Sequence, residues 1–165
     1  MRQLAHILGE RVPSGLPAVF VPVAGALGYA APTPMTPSGL GLVLVMDDDD
    51  MVRRVAGSML ARLGYEPVLS SEGAEALAMA RQLVTEGKPL AAALLDLTVR
   101  SGQGGRDIVG QLRELCPPLP IIASSGYTDD PAMARPTQFG FSASLRKPFL
   151  LNELSTLLTD LIAAS

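Results

Sequence analysis

Short apolar runs that close on a polar residue recur along this chain. Leu42-Val43-Leu44-Val45-Met46 leads into four aspartates, Asp47 to Asp50, and Leu90 to Leu95 leads into Asp96. Leu119 to Ala123 leads into Ser124 and Ser125, and a fourth segment closes on Lys147-Pro148. Brief, continuous apolar runs bounded by turn residues fit strands buried on both faces. The spacing predicts strands at Leu42–Met46, Tyr65–Ser70, Leu90–Leu95, Leu119–Ser124 and Ser142–Arg146. Pro67 cannot donate to a ladder, so the second of these belongs at a sheet edge.

Between the runs the apolar positions shift to helical spacing, predicting helices over Met51–Leu63, Glu72–Thr85, Arg106–Leu115, Asp130–Gln138 and Asn152–Ile162. In the first, Val52, Val55, Met59, Leu60 and Leu63 share a face and Gly64 stops the helix. Gly57 inside it costs about 1 kcal/mol relative to alanine, so that helix depends on packing. Ser71 is a plausible cap for the second. Pro136 should shorten or kink the fourth. The last carries the stripe Leu151, Leu154, Leu157, Leu158, Leu161 and Ile162. Strands alternating with helices give an open parallel α/β sheet. Such a sheet gathers the carboxyl ends of its strands on one edge, where ligands bind. Acids, hydroxyls and an amine would meet there.

Composition narrows the reading. The chain has 165 residues, 48% hydrophobic and 18% charged, enough apolar material for a packed domain plus an appendage. Its net charge of −3 gives no general reason to expect nucleic-acid binding. A single cysteine, Cys116, cannot build a disulfide framework and fits a reducing, cytoplasmic compartment. The only histidine is His6, so the patterned region holds neither a histidine metal site nor a Ser-His-Asp triad.

No charged side chain occurs between Arg11 and Asp47, and Pro13, Pro17, Pro22, Pro32, Pro34 and Pro37 interrupt that stretch. Residues 1–40 read as a Pro/Ala/Gly-rich linker and residues 41–165 as the domain. Leu16–Ala31 is apolar but too short and broken for a membrane span. A signal-peptide core is the lesser reading, because Glu10, Pro17 and Pro22 disturb it.

These residues resemble a response-regulator receiver domain, the phosphoacceptor half of two-component signalling. The resemblance is carried by Leu-Val-Leu-Val-Met-Asp47-Asp48, Arg53-Arg54, Leu-Leu-Asp96-Leu-Thr98, Ile-Ile-Ala-Ser-Ser125-Gly126-Tyr127 and Lys147-Pro148-Phe149, in order and each near a strand end. It implies a flavodoxin-like (βα)5 doubly wound sheet of order 2-1-3-4-5, a fold for which chemotaxis receivers are a standard example. It also implies Mg2+ held by Asp48, Asp96 and the Thr98 carbonyl, with Asp47 acting through water. Asp96 would accept a phosphoryl group from the phosphohistidine of a histidine kinase or histidine phosphotransfer protein. Lys147 would neutralise charge, and Ser125 would bond the arriving phosphoryl oxygen. Ser124 competes for that last role; Gly126, a small residue, favours Ser125. The Lys147-Pro148 peptide would be cis.

Asp49 and Asp50 are then expected to favour the start of the first helix, and Arg53 and Arg54 to be solvated. Gly102 to Gly105 read as a mobile loop, since no Gly-Lys-Ser/Thr ending makes it a phosphate cradle. Arg100 stands where the family commonly has proline, and Ser144 where it commonly has an aromatic, so an atypical or weak conformational output is expected. A phosphoacceptor with at most slow self-dephosphorylation, rather than an enzyme, follows. It would stand alone or be the terminal receiver of a hybrid histidine kinase, with no membrane or nucleic-acid role for the domain. Two alternatives are an unphosphorylated pseudo-receiver interaction module and an aspartate-nucleophile phosphatase. Thr98 opposes the phosphatase, because it occupies the place of that family's second aspartate.

Overall fold

A computed structural model describes residues 39–100, 102–127 and 129–164; His6, the apolar stretch 16–31 and nearly all of the expected linker lie outside them. Strands β1 (Leu42–Met46), β2 (Glu66–Ser70), β3 (Leu90–Asp96), β4 (Ile121–Ser125) and β5 (Ala143–Arg146) alternate with helices α1 (Asp50–Arg62), α2 (Gly73–Thr85), α3 (Gly105–Leu115), α4 (Pro131–Ala134) and α5 (Leu151–Ala163). All strand pairs are parallel, and the sheet order is β2-β1-β3-β4-β5. The sequence expectation of a flavodoxin-like sheet holds, including the edge position of the strand bearing Pro67.

Both faces of the central strands are covered. Leu44, Met46, Ala93, Leu95, Ile121 and Ala123 meet α2 and α3 through Leu77, Ile108 and Leu112. Val43, Val45, Ala92, Leu94 and Ile122 meet α1 and α5 through Ala56, Leu60, Leu154 and Leu158. Alternate side chains along a strand point to opposite faces. With helices on both sides, every position is apolar, which is why the runs read as continuous.

Three local features, in α1, at Ser71 and at Arg53, differ from expectation, while the shortening of α4 at Pro136 was expected. In α1 the buried positions are Ala56, Gly57 and Leu60, while Val55 is 48% exposed. The small residues let the helix approach the edge strand: a Cβ on Gly57 would lie 3.3 Å from Leu69 Cδ2. In α2 the Ser71 hydroxyl is no cap. Its O–H and main-chain N–H both donate to Glu75 Oε2, and they hold that carboxyl below its usual range. Helix α4 is one turn long; a 3-10 turn over Pro136–Phe139 follows it. Pro136 supplies no N–H and fixes φ, which accounts for the break. Arg53 is not solvated, as described below.

Candidate functional site

Parallel pairing brings the strand ends together. Met46 is level with Leu95, Asp96 with Ser124, and Ser125 with Arg146. Main-chain bonds continue the ladder past the strands, from Leu97 N–H to Ser124 O at 2.9 Å and Lys147 N–H to Ser125 O at 2.9 Å. Asp47, Asp96, Ser125 and Lys147 therefore arrive at one rim.

There they line a cleft of about 240 Å³ with Asp48, Asp49, Val52, Thr98, Arg100, Gly126 and Tyr127. Lys147 Nζ lies 2.5 Å from Asp47 Oδ2 and 3.1 Å from Asp96 Oδ2. Carboxylate oxygens of Asp47, Asp48 and Asp96 lie within 4.8 Å of one another. Burial is the main force pushing the Asp96 carboxyl above its ordinary range. Asp47 pushes the same way, and Lys147 opposes both.

The donor set is all oxygen and doubly or triply anionic, the chemistry that suits a hard divalent cation. Metal–oxygen distances of about 2.1 Å place opposing ligands about 4.2 Å apart, which lies inside the 4.8 Å limit on these oxygens' mutual distances. The residues fit such an ion.

The acid run divides its work. Asp49 caps α1, its Oδ1 accepting from Met51 N–H at 2.8 Å and Val52 N–H at 3.4 Å. Asp50 pairs with Arg54 at 2.8 Å and Arg53 at 3.3 Å. Asp47 and Asp48 are left to face Asp96. Arg53 was expected in solvent, yet its side chain is only 16% exposed and donates to the Asp47 carbonyl at 2.6 Å. It ties α1 to the end of β1. Its position five residues after Asp48 was visible in the sequence; the carbonyl it bonds was not.

The two serines separate. Ser125 lines the cleft, and its Oγ accepts from Tyr127 N–H at 3.0 Å. Ser124 is buried outside the lining, and its hydroxyl has no hydrogen-bond partner among the described residues. An unsatisfied buried hydroxyl costs about 1–3 kcal/mol. Ser124→Ala should therefore raise stability by about 1 kcal/mol in urea unfolding, with a loss of stability contradicting that reading.

The glycine loop has a structural reason not legible in the pattern. A Cβ on Gly104 would sit 2.5 Å from the Leu97 carbonyl oxygen, and one on Gly105 2.8 Å from that of Asp96. The chain folds back against the end of β3, and side chains have no room.

Residues 43–159 match the family model described as response regulator receiver domain. The chain belongs to that family. The receiver is 32% identical over 117 residues to the photosynthetic apparatus regulatory protein RegA of Rhodovulum sulfidophilum, covering 71% of this chain and 60% of that protein. It is also 32% identical over 129 residues to sensor kinase CckA of Brucella abortus, covering 76% of this chain and 13% of that one. Kinase-fused receivers are thus among its relatives. This chain spans 24% of the NtrC regulator of a Bradyrhizobium species. Among solved structures, it resembles the receiver domain of sensor histidine kinase PA1611 from Pseudomonas aeruginosa, described with a magnesium ion coordinated in its active-site cleft. That match has TM-score 0.64 and 26% identity, covering 74% of this chain and 98% of that one. A CheY-like receiver from Methanospirillum hungatei shares the fold, with TM-score 0.65, 21% identity and coverage of 75% and 94%.

The receiver has a cis Lys147-Pro148 peptide. Beside it an apolar groove of about 330 Å³ is lined by Met51, Val52, Val55, Lys147, Pro148 and Phe149. Ser144 donates to the Met133 carbonyl at 2.8 Å, joining β5 to α4. No helix among the described residues is long and apolar enough to cross a membrane.

Proposed function

We propose that this receiver takes a phosphoryl group from a phosphohistidine onto Asp96 and serves as a switch or relay in a phosphorelay. The carrying observation is a buried carboxylate, Asp96, with the Lys147 ammonium 3.1 Å away and two further acids beside it. An Asp96 oxygen forms the new bond to phosphorus as the bond from phosphorus to the donor histidine nitrogen breaks. Phosphoryl transfer asks the protein mainly for positioning and charge neutralisation.

Lys147 supplies one positive charge. Asp48, Asp96 and the Thr98 carbonyl would hold Mg2+, with Asp47 acting through water, and the ion would supply the rest of the neutralisation. Ser125 would bond a phosphoryl oxygen. The PA1611 receiver, with its coordinated magnesium, supports this assignment by likeness. The apolar groove shares Lys147 with the acid cleft and would seat the helix carrying the donor histidine in a histidine kinase or phosphotransfer protein.

The protein would act as a signalling module with slow self-dephosphorylation at most. We place it in the cytoplasm, with residues 1–40 as a linker and residues 41–165 as the receiver, alone or as part of a hybrid kinase. The test is incubation with acetyl phosphate. An alkali-labile phosphoryl adduct should form with Mg2+ and not with excess EDTA. Absence of labelling would overturn the proposal and favour an unphosphorylated interaction module, whereas labelling indifferent to EDTA would overturn the Mg2+ assignment.

A further inference from the structure

Two cations are distributed over the three carboxylates of the cleft. Lys147 sits on Asp47 Oδ2 and Asp96 Oδ2. Arg100 sits on Asp48: its main-chain N–H donates to Asp48 Oδ2 at 3.3 Å, and its guanidinium Nε lies 3.5 Å from the same oxygen. The two differ in how firmly they are held. The Lys147 side chain is 17% exposed, whereas that of Arg100 is 87% exposed. Arg100 also lies in the segment that follows β3, four residues after Asp96, so its backbone anchors it beside the cleft while its side chain is free to swing out.

We propose that Arg100 is a tethered cation that competes with the divalent ion for Asp48 and so sets the metal affinity of the cleft. This rests on the metal assignment above and gives a role to a residue that stands where the family commonly has proline. One carboxylate oxygen pairs poorly with a guanidinium and a divalent ion at once, because the two positive charges repel at close range. An ion that takes Asp48 Oδ2 therefore displaces the Arg100 side chain. The Asp48–Arg100 contact and metal binding oppose each other, and by linkage each weakens the other equally. Exposed ion pairs of this kind are weak, so the effect on affinity is about two- to fivefold. The receiver would consequently fill at a higher Mg2+ concentration than the same cleft without the arginine.

The test is calorimetric titration of the full chain with MgCl2, free of phosphodonor. Arg100→Ala should bind Mg2+ about two- to fivefold more tightly than the wild type, and Arg100→Lys should fall near the wild type. Arg54→Ala is the control: it removes the same charge from an exposed helix residue paired with Asp50. It should change the affinity by less than Arg100→Ala. The Mg2+ concentration for half-maximal acetyl phosphate labelling should fall in Arg100→Ala by the same factor. Equal or weaker Mg2+ binding by Arg100→Ala overturns the competition. So does an equal gain in Arg54→Ala, which would reduce the effect to net charge. If the wild type binds Mg2+ and Arg100→Ala does not differ, the inference alone falls. If neither binds, the metal assignment falls with it.

Discussion

Asp96→Asn is expected to abolish acetyl phosphate labelling while leaving the receiver folded and more stable. The amide has nearly the same shape, but it offers phosphorus no anionic oxygen, so the acyl phosphate cannot form. The loss should be complete within detection, and equal labelling of both proteins would overturn Asp96 as acceptor. The stability gain follows from the same residue. Burial raises the Asp96 carboxyl above its ordinary value despite the attraction of Lys147. The folded chain therefore binds that proton more tightly than the unfolded chain. Where the folded state holds more protons, stability falls as pH rises. The cost of ionising Asp96 is absent below the unfolded carboxylate range and fully present above the raised folded value. Urea unfolding in EDTA should show Asp96→Asn more stable than the wild type at neutral pH. The gap should close as pH falls toward the ordinary aspartate range. A wild type more stable at neutral pH would contradict this account. Lys147 keeps a partner in the variant, since Asp47 lies 2.5 Å from its Nζ.

Gly104→Ala is expected to lose about 2 kcal/mol of stability and to slow labelling by about tenfold or more. Its added methyl would meet main chain, with the Leu97 carbonyl oxygen at 2.5 Å and carbon at 3.1 Å. A flexible side chain can rotate away; a carbonyl moves only with the backbone. Leu97 lies between Asp96 and Thr98, so any adjustment shifts the proposed acceptor and the proposed metal-ligand carbonyl together. Misplacement of a reacting group by 1 Å can cost up to about 10²-fold in rate. Gly110, in α3, provides the matched control, because nothing lies within 4 Å of a Cβ built there. Gly110→Ala should stabilise by about 0.5–1 kcal/mol through helix propensity alone. Opposite signs for one chemical change six residues apart would separate close approach from conformational freedom. Equal effects would remove the packing explanation.

The physical reason for each success and failure of the sequence reading is local. Strand runs were legible because both sheet faces are covered, which demands apolar residues at every position. The edge position of β2 was legible because Pro67 lacks an N–H. The end of α1 at Gly64 and the break at Pro136 were legible for similarly local reasons. The buried face of α1 was misread in part: Leu60 is buried and Met59 and Leu63 pack against the core as expected, but Val55 is exposed. Val55 is more hydrophobic than Ala56, yet Ala56 is the one buried, because the spacing between helix and sheet selects for size as well as for hydrophobicity. Ser124 and Ser125 are chemically identical neighbours, and only their opposite orientations across β4 separate them.

The order of apolar runs and the residues that close them thus determined a parallel sheet, with the Pro67 strand at its edge, and the gathering of Asp47, Asp48, Asp96, Ser125 and Lys147 at one rim; the full strand order was legible only through the family resemblance. Periodicity and strand ends are properties of neighbouring residues. The contacts of Arg53 with the Asp47 carbonyl, Arg100 with Asp48 and Gly104 with Leu97 were decided by the tertiary structure alone. Each joins a side chain or a bare Cα to a main-chain or carboxylate oxygen on another element. Such a contact depends on distances between elements, which no spacing along the chain encodes.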